Sequence, residues 1–136
     1  MRKNLYYRLY YGAFLNGKKS SRTEQSDKSA AVIGMFLLTA MLFVNFLTAV
    51  IFLNIIGLNV IWNFFHENSW ILYLVIIGIV LINYNFFLKG DRYRSLIKLY
   101  KDETKRQCNF TITLWLLYII TTGALLFIAL DNNMIV

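Results

Sequence analysis

A chain of 136 residues in which 58% are hydrophobic and 17% aromatic is too apolar for an ordinary water-soluble domain. The net charge of +7 sits with a single cysteine, Cys108, which excludes an intrachain disulfide and a multi-cysteine metal site. Proline is absent, so proline-broken transporter helices are excluded as well.

Residues 1–29 form a polar and basic N-terminal region. Placed on a helix, Tyr6, Leu9, Tyr10, Ala13 and Phe14 make one apolar arc, with Asn4, Arg8 and Gly12 opposite. Tyrosine suits a membrane boundary because its ring can lie among acyl chains and its hydroxyl among headgroups. This segment is therefore expected to rest on the inner leaflet through Tyr6, Tyr10 and Phe14, with Arg8 attracted to anionic lipid. The following NGKKSSRTEQSDKS reads as a flexible connector in which Ser26 or Asp27 can cap the next helix.

Residues 30–58 hold the first uncharged block, AAVIGMFLLTAMLFVNFLTAVIFLNII. About 20 apolar residues at 1.5 Å each cross a hydrocarbon core, so this block is a transmembrane helix with length to spare. It starts too late and runs too long for a secretory h-region, which favours a retained anchor. Gly34, Asn45, Thr48 and Asn59 share one stripe with Leu38, Met41 and Phe52, a pattern of helix packing rather than of an aqueous wall. Thr39 and Asn54 lie on the other side. A lone Asn facing lipid is costly, so Asn54 is the expected intermolecular contact.

Residues 59–69 read as a short outer loop. Its His66 and Glu67 are neighbours, but a metal site needs three or four ligands and no second His exists. Residues 70–88 form the second span, with Val75, Gly78, Ile82 and Asn85 on one face. Residues 89–109 are a basic loop in which Tyr93, Leu96, Ile97 and Tyr100 oppose Arg94, Lys98, Lys101 and Asp102. This is a second interfacial pattern, with Arg94, Lys98 and Lys101 expected on anionic lipid. Residues 110–130 form the third span, with Thr111, Tyr118, Thr122 and Ala129 in line, and residues 131–136 are an outer tail.

Lys and Arg near span ends stay on the cytoplasmic side. Residues 1–29 hold seven of the 14 and residues 89–109 the other seven, while the outer loop and tail hold none. That asymmetry predicts a plasma (inner) membrane protein with the N-terminus cytoplasmic and the C-terminus outside. The glycosylation-like triplet at Asn109 would then lie on the cytoplasmic side, where it is not modified.

The fold class expected is an all-α integral membrane protein with three transmembrane helices and two cytoplasmic-side amphipathic segments. No Asp, Glu, Lys, Arg or His lies within the spans, which argues against proton relays and charge-coupled pumping. Neither a phosphate loop, a nucleophile elbow nor paired intramembrane carboxylates occurs, so no enzymatic activity, no cofactor and no nucleic acid is expected. Gly34, Asn45, Thr48, Asn54, Gly78, Asn85, Tyr118 and Thr122 are the expected helix-packing or partner contacts. Two functions fit. One is a non-catalytic accessory, assembly or immunity-type protein that recognises the helices of a membrane partner; its layout is similar to small three-span immunity proteins of bacterial inner membranes, in architecture alone. The other is a membrane-permeabilising toxin or antiphage effector, which three helices can make only as a homo-oligomer.

Overall fold

The computed structural model describes residues 3–20 and 27–135, and within them the chain is helical nearly throughout. Residues 21–26 of the polar connector, including Ser26, lie outside the described residues; its two ends are helical, residues 16–20 continuing the first helix and residues 27–29 opening the next. Helix α1 spans Leu5–Ser20. Its start is set by Asn4, whose Oδ1 accepts the Tyr7 N–H at 2.7 Å and so satisfies one of the free donors of the first turn.

Helix α2, Asp27–Ile55, is the centre of the molecule. It ends in a Schellman-type stop: Gly57 takes φ +93°, and the Leu58 N–H reaches back to the Leu53 carbonyl at 2.9 Å. The segment read as an outer loop then forms a helix, α3, Asn59–Glu67. Its Phe65 meets Phe46 of α2 edge-on at 5.5 Å, and packing of this half-buried face supports a helix in a stretch too short to be stable alone.

Helix α4 covers Trp70–Asn83 and runs into a π turn at Tyr84–Leu88 and a 3-10 turn at Lys89–Asp91. Gly90 and Asp91 both adopt positive φ, +63° and +56°, and redirect the chain into α5, Arg92–Lys101. Helix α6, Lys105–Ile135, is the longest. With no proline available, the irregularity in the second apolar segment comes from the π turn instead.

Three helical stretches are long and apolar enough to cross a membrane: Asp27–Ile55, Trp70–Lys101 and Lys105–Asn132. Both α4 and α6 pack on α2, and so do α1 and α3. On the outer faces, Tyr73, Leu74 and Ile77 of α4 and Leu117, Ile120 and Phe127 of α6 are exposed, the composition that a lipid solvent favours.

The two amphipathic segments differ from their sequence-based reading. Tyr10, Ala13 and Phe14 of α1 are buried in the protein core, as are Tyr93, Leu96 and Tyr100 of α5. Tyr6 and Ile97 pack at the edge of the same cluster. The apolar faces assigned to the leaflet are thus covered by other helices, because α1 and α5 find partners of matching shape at the basic end of the bundle. Amphipathic periodicity identifies a face to be buried but not what buries it.

Candidate functional site

The densest part of the molecule is a hub where α1 is clasped by α2, the π turn, α5 and the start of α6. Close approach depends on two glycines. A methyl group at Gly34 would lie 2.9 Å from the Phe14 backbone nitrogen, and one at Gly12 would lie 2.7 Å from the Trp115 Cβ. Gly34, read from sequence as a small residue in a packing seam, here admits the backbone of α1. Against the other side of α1, Phe87 is fully buried and stacks on Tyr10, with centroids 3.9 Å apart and planes 6° off parallel. Tyr11 stacks on Tyr100 of α5 at 4.9 Å.

Hydrogen bonds fix the register. The Tyr6 hydroxyl donates to Asn83 Oδ1, Asn83 Nδ2 donates to Thr39 Oγ1 at 2.8 Å, and Thr39 donates to the Met35 carbonyl at 2.8 Å. One chain of bonds therefore ties α1, α4 and α2, and Asn83 at its centre is fully buried. Nearby, the Tyr10 hydroxyl donates to the Ala31 carbonyl at 3.0 Å. Burial pushes the Tyr6 hydroxyl up to about 12, with neighbouring Tyr118 and Tyr7 adding to it, and burial raises Tyr10 as well. Both remain neutral donors across the ordinary pH range.

The hub also contains an ion cluster. The Glu103 side chain is only 2% exposed and accepts from Arg8 Nη2 at 3.0 Å and Lys3 Nζ at 3.1 Å. Arg8 Nη1 donates to Thr111 Oγ1 at 2.7 Å, and its guanidinium lies 5.4 Å from the Tyr100 ring centroid. Arg8 is committed to protein, not displayed toward headgroups. A buried carboxylate is tolerated only with such partners, so the cluster specifies how α1 docks on the α5–α6 turn.

Of the remaining packing residues, Asn45 Nδ2 donates to the Tyr118 hydroxyl at 2.5 Å, joining α2 to α6 within the chain. Thr48 and Thr122 are buried, and Thr48 returns its hydroxyl to the Val44 carbonyl at 2.8 Å. Asn54 is half-buried one residue before the end of α2, and its carbonyl accepts the Gly57 N–H at 3.1 Å. Gly78 has no atom within 4 Å of where a Cβ would stand. Asn85 is exposed and bonds back to the Leu81 carbonyl at 2.9 Å. The polar residue that α4 buries is Asn83.

Sequence reasoning missed Asn83, Thr39, Phe87 and Glu103. For Thr39 the signal is its place in an apolar helix: α2 packs against α1, α4 and α6, so more than one of its faces is a packing face, while Phe36 stays exposed. Asn83 and Asn85 are two residues apart and point to different sides of a helix; only tertiary packing distinguishes them. Glu103 carried a weaker signal, as an acid within a basic segment.

At the opposite end, a cavity of about 350 Å³ lies among α2, α3, α4 and α6, bordered by Val50, Ile51, Trp62, Phe65 and Leu126 with His66 at its wall. Among the described residues no group of three or more His, Cys, Asp or Glu side chains is placed to hold a metal ion. At the basic end, a groove of about 450 Å³ runs between the start of α2 and α5, lined by Lys28, Arg94, Lys98 and Lys101. Comparison with known proteins adds nothing to this geometry: neither a protein-family model, a curated protein nor a solved structure matches the chain.

Proposed function

We propose that the chain is a non-catalytic membrane module that recognises helices of a membrane partner, in an accessory, assembly or immunity-type role. It resides in the plasma (inner) membrane with its basic end on the cytoplasmic side, where Lys and Arg are retained. The observation that carries this reading is the pairing of polar side chains inside one chain: Asn45 with Tyr118, and Tyr6 with Asn83 and Thr39. Those groups are unavailable to line an aqueous path, so the reading is favoured over an oligomeric pore. What α4 and α6 leave open is apolar, with unfilled notches at Gly78 and Gly123 where a neighbouring backbone can approach.

The test uses Gly78→Cys and Gly123→Cys in a Cys108→Ser background, crosslinked in native membranes while a membrane-potential dye is followed. A heterologous adduct without leakage is the expected result. Self-adducts with depolarisation would replace the module by the permeabilising effector, and no adduct at either position would remove the partner. Orientation is checked separately by a reporter near Thr104, active inside the cell, and one after Val136, active outside.

A further inference from the structure

The basic groove holds more positive charge than its own carboxylates balance. Lys28 comes from the first turn of α2, and Arg94, Lys98 and Lys101 come from successive turns of α5. Asp27, the carboxylate in its wall, is already paired with Lys18 at 3.0 Å, and Asp91 lies 3.8 Å from Arg94. Lys98 and Lys101 are exposed, three residues apart on one face of α5.

The groove does not end in water. At Lys28 and Tyr93 it meets a second cleft of about 470 Å³ that runs over Val32 of α2 and Leu88 at the end of the π turn. These residues lie at the margins of the first two apolar helices. The cationic compartment therefore opens onto a cleft whose far side, Val32, Tyr84 and Leu88, is largely apolar and leads toward the spans, with the Asp91 carboxylate at the junction held beside Arg94.

We propose that this composite groove is a specific site for one anionic phospholipid, its phosphate held by Lys28, Arg94, Lys98 and Lys101 and its acyl chain laid along Val32 and Leu88. The inference rests on the membrane reading above and deepens it. It narrows lipid attraction from a general property of a charged surface to a defined place. A soluble phosphate would use the cations but gain nothing from the apolar track. A zwitterionic lipid would use the track, but its ammonium would meet four like charges. Only an anionic lipid uses both halves.

The experiment reconstitutes the full chain in nanodiscs of phosphatidylcholine with and without phosphatidylglycerol and counts retained lipid by native mass spectrometry. Wild type should retain one phosphatidylglycerol in preference to phosphatidylcholine. A basic residue near an anionic surface contributes about 1 kcal/mol, which is about fivefold in affinity. Lys98→Gln with Lys101→Gln should therefore lower retention by about 25-fold or less, and Val32→Trp should displace the lipid while leaving every cation in place. A control, Lys105→Gln with Arg106→Gln, removes equal charge outside the groove and should change little.

If the control loses as much lipid as the groove variant, attraction is diffuse and the site is refuted. Displacement by inorganic phosphate at equal concentration would also refute it, by showing a free-anion site. Circular dichroism of each variant separates loss of lipid from loss of fold, and Lys28→Gln alone, which leaves α5 untouched, gives a milder readout of the same site. If the chain is instead removed from native membranes by alkaline carbonate, the membrane reading itself fails; a chain that stays in the membrane without lipid preference overturns the site alone.

Discussion

The two ends of the bundle solve the same packing problem differently. Three long helices meet chiefly through α2, which leaves a space between α4 and α6. At the basic end α1 enters that space, stacks Tyr10 on Phe87, and ties itself down with Asn83 and Glu103. At the far end the nine-residue α3 covers the space but does not fill it, and a cavity of about 350 Å³ remains. The difference shows what makes a helix a structural keystone: glycines where backbones approach and polar groups that pair across elements. Apolar surface alone, which α3 has in abundance, gives only a cover.

The comparison breaks most visibly at Glu103. Arg8→Met leaves a buried carboxylate with Lys3 as the remaining cation among the described residues and should destabilise the fold by about 3 kcal/mol. It should also expose α1 to protease, measured by denaturant titration and limited proteolysis in mild detergent. Unchanged protection of α1 would mean the ion cluster does not hold it.

Adding carbon at each end gives the next largest contrast. Gly34→Ala forces a methyl against the Phe14 backbone and should cost about 1–3 kcal/mol. Leu126→Phe extends into the far cavity and should stay within about 0.5 kcal/mol of wild type. Equal losses at the two sites would show that the far end is as tightly packed as the hub.

Two asparagines sharpen the comparison within a single helical segment. Asn83→Leu removes the link among α1, α2 and α4 and should cost between about 0.6 and 2 kcal/mol, whereas Asn85→Leu, at an exposed position, should be close to neutral. Thermal unfolding of the pair in the same detergent decides it.

The smallest effect appears at alkaline pH. Burial pushes the Tyr6 hydroxyl up from the ordinary 10.0 to about 12 in the folded chain. A raised folded value means the proton is held more tightly by the folded state. The contribution of this group is therefore intact below pH 10 and is lost as pH rises from 10 through about 12. Phenolate absorbance should show a late-titrating fraction that shrinks in Tyr6→Phe.

Sequence by itself determined the helical character of the chain and its three long apolar segments, because uncharged runs of that length leave the backbone no better way to satisfy its own hydrogen bonds. It also marked α1 and α5 as helices with one face to bury, since 3.6-residue periodicity is a local property. Gly34, Asn45, Thr48, Tyr118 and Thr122 were legible as small or polar residues within apolar helices. Their partners were not, for a partner is defined by which helices meet. Tertiary structure alone decided that α1 packs into protein, that α3 forms on α2, and that α4 buries Asn83 and not Asn85. It also decided that Glu103, and not its neighbour Asp102 in the same largely basic segment, becomes the buried anchor of the N-terminal helix. Each of these depends on contacts between residues far apart in the chain, where shape and pairing choose among faces that local pattern leaves equivalent.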